Sequence, residues 1–186
     1  MRISSIFLSG PDVWLPGAAD LLKRKRAICE AAGFVAITGL DGERRETAAT
    51  EALARETYAG ALANLRRADA VIANLSPWRG PHCDPGAAFE LGFASALAKP
   101  VFAYMNIVDE DDADYRSRIE AMIGALPDAA GVIRDPDGAE VEDFGLPESL
   151  MLWAEARRFY VVVTPEPMED LTGLELCLEA VRLYAD

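Results

Sequence analysis

The chain has 186 residues, 51% of them apolar and 26% charged, which suits one globular domain (1–186) with its own core and excludes a disordered or low-complexity protein. Its formal charge is −13, from 18 basic and 31 acidic residues, so the surface field opposes nucleic-acid polymers and anionic membranes but leaves a local pocket free to take a small molecule. Three scattered cysteines and one histidine support neither a metal site nor a disulfide framework, and the absence of a signal peptide or a long apolar run makes the cytoplasm the expected location.

Ile3 to Leu8 reads as a buried strand, broken by SGPDVWLPG (Ser9 to Gly17) with its two glycines and two prolines. Ala18 to Ala32 has helical spacing, with Leu21, Leu22, Ile28 and Cys29 on the apolar side and Lys23, Arg24, Lys25 and Arg26 expected largely outside; Gly33 ends it. Phe34 to Thr38 is a second strand, Gly39 to Thr47 a polar loop, and Ala48 to Arg67 a helix carrying Leu53, Tyr58, Leu62 and Leu65 on one face. Asp69 to Leu75 (DAVIANL) is a third strand and SPWRGPHCDPG a loop. Asp84 followed by Pro85 then starts a helix that runs to about Ala98. Pro100 to Met105 is a strand, Asp109 to Asp114 (DEDDAD) a solvated acidic run, and Tyr115 to Ile123 a helix. After a turn-rich stretch from Ala130 to Asp143, a helix lies within Gly145 to Arg158, a β-branched strand spans Phe159 to Val163, and a helix spans Leu171 to Tyr184. This alternation predicts an α/β fold, a doubly wound parallel sheet of about five strands with helices on both faces.

Ligands of such sheets sit at the carboxyl ends of the strands, which points to the SGPDVW loop and to SPWRGPHCDPG. Neither contains a dinucleotide or triphosphate motif. The helix after the second loop, DPGAAFELGFASAL, places Glu90 among small and apolar residues. With Asp84 as cap, Glu90 falls in the second turn, and Gly86, one turn earlier on the same face, is expected to leave a hollow beside it. A poorly solvated carboxylate facing a cavity is a candidate nucleophile. The bland alternative is a solvent-facing glutamate and an Asp-Pro pair that only caps. Cys83 beside His82 is a poorer nucleophile, because neighbouring side chains in an extended loop diverge. Cys29 and Cys177 read as helix core.

The blocks LSGPDVW, ANLSPWRGPHCDPGAAFELGFASAL and EDFGLPESLML (Glu142 to Leu152), in this order with the strand-helix rhythm between them, resemble the nucleoside 2-deoxyribosyltransferase family. The resemblance implies a flavodoxin-like sheet and double displacement at the anomeric carbon of a 2'-deoxynucleoside. The family's D-x-G-x-x-x-E-x-G segment matches Asp84, Gly86, Glu90 and Gly92, so Glu90 is the implied nucleophile. Asp84 is a candidate for orienting or protonating the departing base, alongside its role as helix cap. Trp14 resembles the family's base-flanking aromatic, with a loop-to-core aromatic as the alternative; Ser9, Gly10 and Asp12 shape the same loop. Ser149 and Met151 match positions that the family lends to a neighbouring subunit's site, although helix packing explains Met151 equally well. Two residues depart from the pattern: Ser149 stands where the family usually has Asn, and Ala61 where it commonly has Asp or Asn. The resemblance implies no cofactor and no metal, nucleosides and nucleobases as partners, and a homodimer or higher homo-oligomer with shared active sites. The alternatives are hydrolysis of (deoxy)nucleosides or their 5'-monophosphates, and a catalytically silent nucleoside sensor.

Overall fold

The computed structural model describes residues 2–39 and 49–185. In chain order the elements are β1 (Ser5–Ser9), a 3-10 turn (Pro11–Trp14), α1 (Ala18–Ala31), β2 (Val35–Thr38), α2 (Glu51–Arg67), β3 (Ala70–Asn74), α3 (Pro85–Ala96), β4 (Val101–Ile107), a second 3-10 turn (Glu110–Ala113), α4 (Tyr115–Ile123), β5 (Leu126–Pro127), β6 (Ile133–Arg134), α5 (Leu150–Glu155), β7 (Phe159–Val163) and α6 (Thr172–Ala185). Five strands form one sheet in the order β2-β1-β3-β4-β7, and every neighbouring pair in it is parallel. This is the doubly wound arrangement that the alternating elements predict. The reversal of strand order between β1 and β3 opens a crevice at their carboxyl ends.

Alternation along the strands feeds two cores. Ile6, Leu8, Ala70, Ile72, Phe102 and Tyr104 face α1 and α6, where Cys29, Leu174, Cys177, Leu178 and Val181 meet them. Phe7, Val71, Ala73, Val101 and Ala103 face the other way, against Leu65 of α2, Ala87, Leu91 and Ala94 of α3, and Leu152 beside them in α5. Full burial of each large side chain contributes about 1.5–3 kcal/mol, so both layers are needed. At Gly173 the backbone of α6 presses directly on β4, and a Cβ there would overlap the Tyr104 ring. A smaller cluster of Ile119, Ala125 and Ile133 joins α4 to the β5–β6 hairpin. Among the described residues no helix is long and apolar enough to cross a membrane.

The boundaries depart from expectation in a few places, each with a local cause. β1 begins at Ser5 rather than Ile3, where the Asp69 carboxylate collects the amides and hydroxyls of Ser4 and Ser5 at 2.9 Å. β4 continues to Ile107, because β7 pairs with it as far as Val163. The expected polar loop from Gly39 to Thr47 and the start of the second predicted helix at Ala48 lie, apart from Gly39, outside the described residues.

Lys25 requires a correction. Expected on the outer face of α1, it is 3% exposed, one turn from Leu21 and one from Cys29 on the same buried stripe. Its ammonium donates to Asp12 Oδ2 and, at 2.9 Å, to Tyr104 Oη. Burial works against the charge, but Tyr104 and Asp12 outweigh it and raise the pKa above the usual lysine value. The ion pair fixes the β1–α1 loop to the sheet.

Candidate active site

The site assembles where β1 ends, where β2 gives way to Gly39, and where α3 begins. Asp84 caps α3, its Oδ2 accepting the Ala87 amide at 2.9 Å, with Pro85 at the first helical position. Gly86 serves this cap. A Cβ there would lie 2.8 Å from Asp84 Oδ2, so the glycine admits Asp84 and is not the hollow expected beside Glu90. That space is bounded instead by Gly39, where an added Cβ would come within 3.6 Å of Glu90 Oε1, 3.7 Å of Ala61 Cβ and 3.7 Å of Phe7 Cζ.

Glu90 reaches across to β1. The hydroxyl of Ser9, which is 3% exposed, donates to Glu90 Oε2 at 2.6 Å, while Oε1 accepts no hydrogen bond among the described residues. Burial pushes the Glu90 pKa up to about 7; the Ser9 hydrogen bond works against the rise and the nearby Asp84 charge adds to it. Such a group is poised to change charge near neutrality.

The β1–α1 loop is built tightly. Gly10 has φ 150°, and a Cβ on it would meet Asn74 Cβ at 2.8 Å, so this position needs a glycine on both counts. Asp12 turns inward; it is 3% exposed, paired with Lys25 and 3.4 Å from Asn74 Nδ2. It therefore shapes the loop. Trp14, at the end of the 3-10 turn, is half exposed.

The loop before α3 is held by two fixtures. Asn74 Oδ1 accepts the Ser76 amide at 3.1 Å and its hydroxyl at 2.6 Å, and Ser76 Oγ accepts the Asn106 amide at 2.9 Å. Arg118 of α4, 1% exposed, donates to the carbonyls of Pro81 at 3.0 Å, Asp112 at 2.8 Å and Pro147 at 2.7 Å, with Glu148 at 3.6 Å. One buried guanidinium thus joins the Asp84 loop to the segment that carries Ser149. Cys83 is no competitor for Glu90, since burial first, then the charges of Glu148 and Asp84, push its thiol up to about 12. His82 pairs with Tyr115 Oη at 3.3 Å and not with the thiol.

Ser149 precedes α5, its amide bonded to Glu148 Oε1 at 2.8 Å, and Met151 is 79% exposed. Among the described residues no hydrogen bond links either to Asp84 or Glu90. An open cleft of about 390 Å³, lined in part by Leu15, Asp20, Arg24 and Glu169, lies on the far side of the β1–α1 loop and includes none of the candidate catalytic groups.

The carboxylate pair at the start of α3, facing the strand-order reversal, coincides with a match to the nucleoside 2-deoxyribosyltransferase family model over residues 6–151. The chain belongs to that family. The chain is similar to a 2-desoxiribosyltransferase from Leishmania mexicana, with TM-score 0.64 and 28% sequence identity over 95% of this chain and 97% of that one. An uncharacterized protein of Schizosaccharomyces pombe is 27% identical over 169 residues, or 81% of this chain and 75% of that protein. The family match ends at Met151, so β7 and α6 lie beyond it.

Gly39 and Arg118 escaped the sequence reading. Gly39 sits at the exit of a strand, where a glycine is unremarkable until Glu90 is placed opposite. Arg118 occupies an amphipathic helix in which an arginine normally faces solvent.

Proposed function

We propose that the protein transfers a 2-deoxyribosyl group between nucleobases through a covalent intermediate on Glu90. The observation that carries this reading is the state of that carboxylate, poorly solvated, with one oxygen held by a hydroxyl and the other turned toward small neighbours. In the first step Glu90 attacks C1' and a C–O bond forms. The C1'–N bond breaks, its electron pair leaves with the base, and the base takes up a proton. Asp84, fixed by its bond to the Ala87 amide, orients the departing base or supplies that proton. In the second step a nitrogen of the incoming base attacks C1', the electron pair of the ester bond returns to Glu90, and the new base gives up its proton. Two inversions give net retention. A sugar without a 2'-hydroxyl reaches the oxocarbenium-like state readily, so a carboxylate suffices without a metal.

Chromatography of the protein incubated with 2'-deoxyinosine, with and without adenine, tests this. Appearance of 2'-deoxyadenosine only when adenine is present is the expected result. Free hypoxanthine and deoxyribose without exchange product would replace transfer by N-glycoside hydrolysis. Glu90→Ala is expected to lower cleavage by at least about 10³-fold, since it removes the nucleophile; substantial residual turnover would sink the assignment. The rate is expected to fall as pH drops through about 7, where Glu90 takes up its proton.

The exposed Met151 and the adjacent Ser149, neither bonded to the carboxylate pair of its own chain, fit a homodimer in which each subunit lends this segment to its neighbour's sugar site. Mixed dimers of Glu90→Ala and Ser149→Trp subunits, each inactive alone, are expected to recover up to about half the activity of one site per dimer. Recovery of none would place each site within one chain.

A further inference from the structure

The reading of Glu90 as nucleophile leaves open how a glutamate in a largely apolar setting is charged and held in one orientation. Three oxygens decide the matter. Glu90 Oε2 receives the Ser9 hydroxyl at 2.6 Å. Oε1 lies on the side of Gly39, where an added Cβ would come within 3.6 Å of it. Ser9 Oγ belongs to the last residue of β1, paired in the sheet with Ala73 of β3 and 3% exposed, so the donor is carried by a buried strand and not by a loop.

We propose that Ser9 is a positioning residue for Glu90, its hydroxyl holding Oε2 so that Oε1 is the attacking oxygen and the charged form of the carboxyl is favoured. The inference rests on the reading of Glu90 as nucleophile, but its first test does not require turnover. A donor to one carboxylate oxygen favours the charged form and removes one rotational choice. The groups that face Glu90 are few. β1 brings Ser9, the end of β2 brings Gly39, and the cap of α3 brings Asp84, the one charged group among the described residues that acts on Glu90, and it acts against ionisation. With Ser9 removed, nothing among these neighbours replaces its support of the anion.

The experiment is a carbon-13 titration of protein labelled at the glutamate δ-carbon, with the Glu90 signal assigned by its disappearance in Glu90→Gln. In Ser9→Ala the midpoint is expected to rise by about one pH unit. Ser9→Cys, which fills a similar volume with a weak donor, is expected to follow Ser9→Ala and not wild type. Where glycosidic cleavage is measured, kcat at pH 7 is expected to fall about fivefold in both variants, to recover as pH is raised, and to leave KM within about twofold. An unchanged midpoint in Ser9→Ala would overturn the proposal, and so would a Ser9→Cys protein that titrates like wild type, because packing would then explain the contact. A shifted midpoint in a protein that cleaves no nucleoside would uphold the role of Ser9 and remove only the transfer reading.

Discussion

Glu90 is held where a carboxylate is costly to ionise, and that cost has a sign that can be measured. Its pKa lies at about 7 in the folded chain against an ordinary 4.5. Between those two values the folded state therefore binds more protons than the unfolded one, and stability declines as pH rises through the window. Glu90→Gln is expected to remove this decline, making the variant more stable than wild type by on the order of 2 kcal/mol at pH 8 while little different near pH 4. Thermal melts across pH check it, and a variant no more stable at pH 8 would show that the carboxylate is better solvated than its neighbours suggest. The position of this residue was legible in the sequence, because an Asp-Pro cap fixes where the second turn falls. Its partners were less so. Ser9 was recognisable only as part of a loop-forming block, since nothing in a strand's last residue announces an acceptor 81 positions away. Asp12 read as a loop-shaping residue, and the structure gives that role a partner in Lys25.

The helices and loops around the site depend on buried cations more than on their own propensities. Arg118 serves three carbonyls and Glu148 from one turn of α4. Removing it strands the Glu148 carboxylate, which burial already biases toward its neutral form. Arg118→Ala is expected to cost about 3 kcal/mol, or roughly 10 °C in Tm, and Arg118→Met combined with Glu148→Gln is expected to lose distinctly less, because no buried charge is then left unpaired. Calorimetry of the two variants separates these outcomes, and equal losses would assign the effect to packing alone. Most elements were legible as elements, from strand runs bounded by Gly and Pro and from the Asp84 cap. Lys25 shows why their faces were not always legible. Four consecutive basic residues suggest a wet surface, yet Leu21, Lys25 and Cys29 repeat every fourth position and share one stripe. Periodicity carried the correct answer there, and residue type obscured it.

Across the whole molecule, the strand-helix rhythm was sufficient to predict the parallel sheet, because a parallel pair needs a crossover and a helix is the usual one. The acidic balance has its own consequence. A net charge of −13 leaves the approach of a neutral nucleoside indifferent to salt, whereas a 5'-monophosphate is repelled at low ionic strength and less so when screened. Raising salt from about 10 to about 150 mM, which shortens the Debye length from about 30 to about 8 Å, is expected to leave KM for a deoxynucleoside unchanged and to lower it for a monophosphate. A monophosphate KM that rises with salt would point to a dedicated cationic grip. The three thiols, finally, are all buried: Cys29 and Cys177 within the layer between the sheet and α1 and α6, Cys83 in the loop that leads to Asp84. Because a thiol reagent reaches them only when the fold parts, the chain carries two built-in clocks, one timing excursions of the loop before α3 and the other the opening of the far layer.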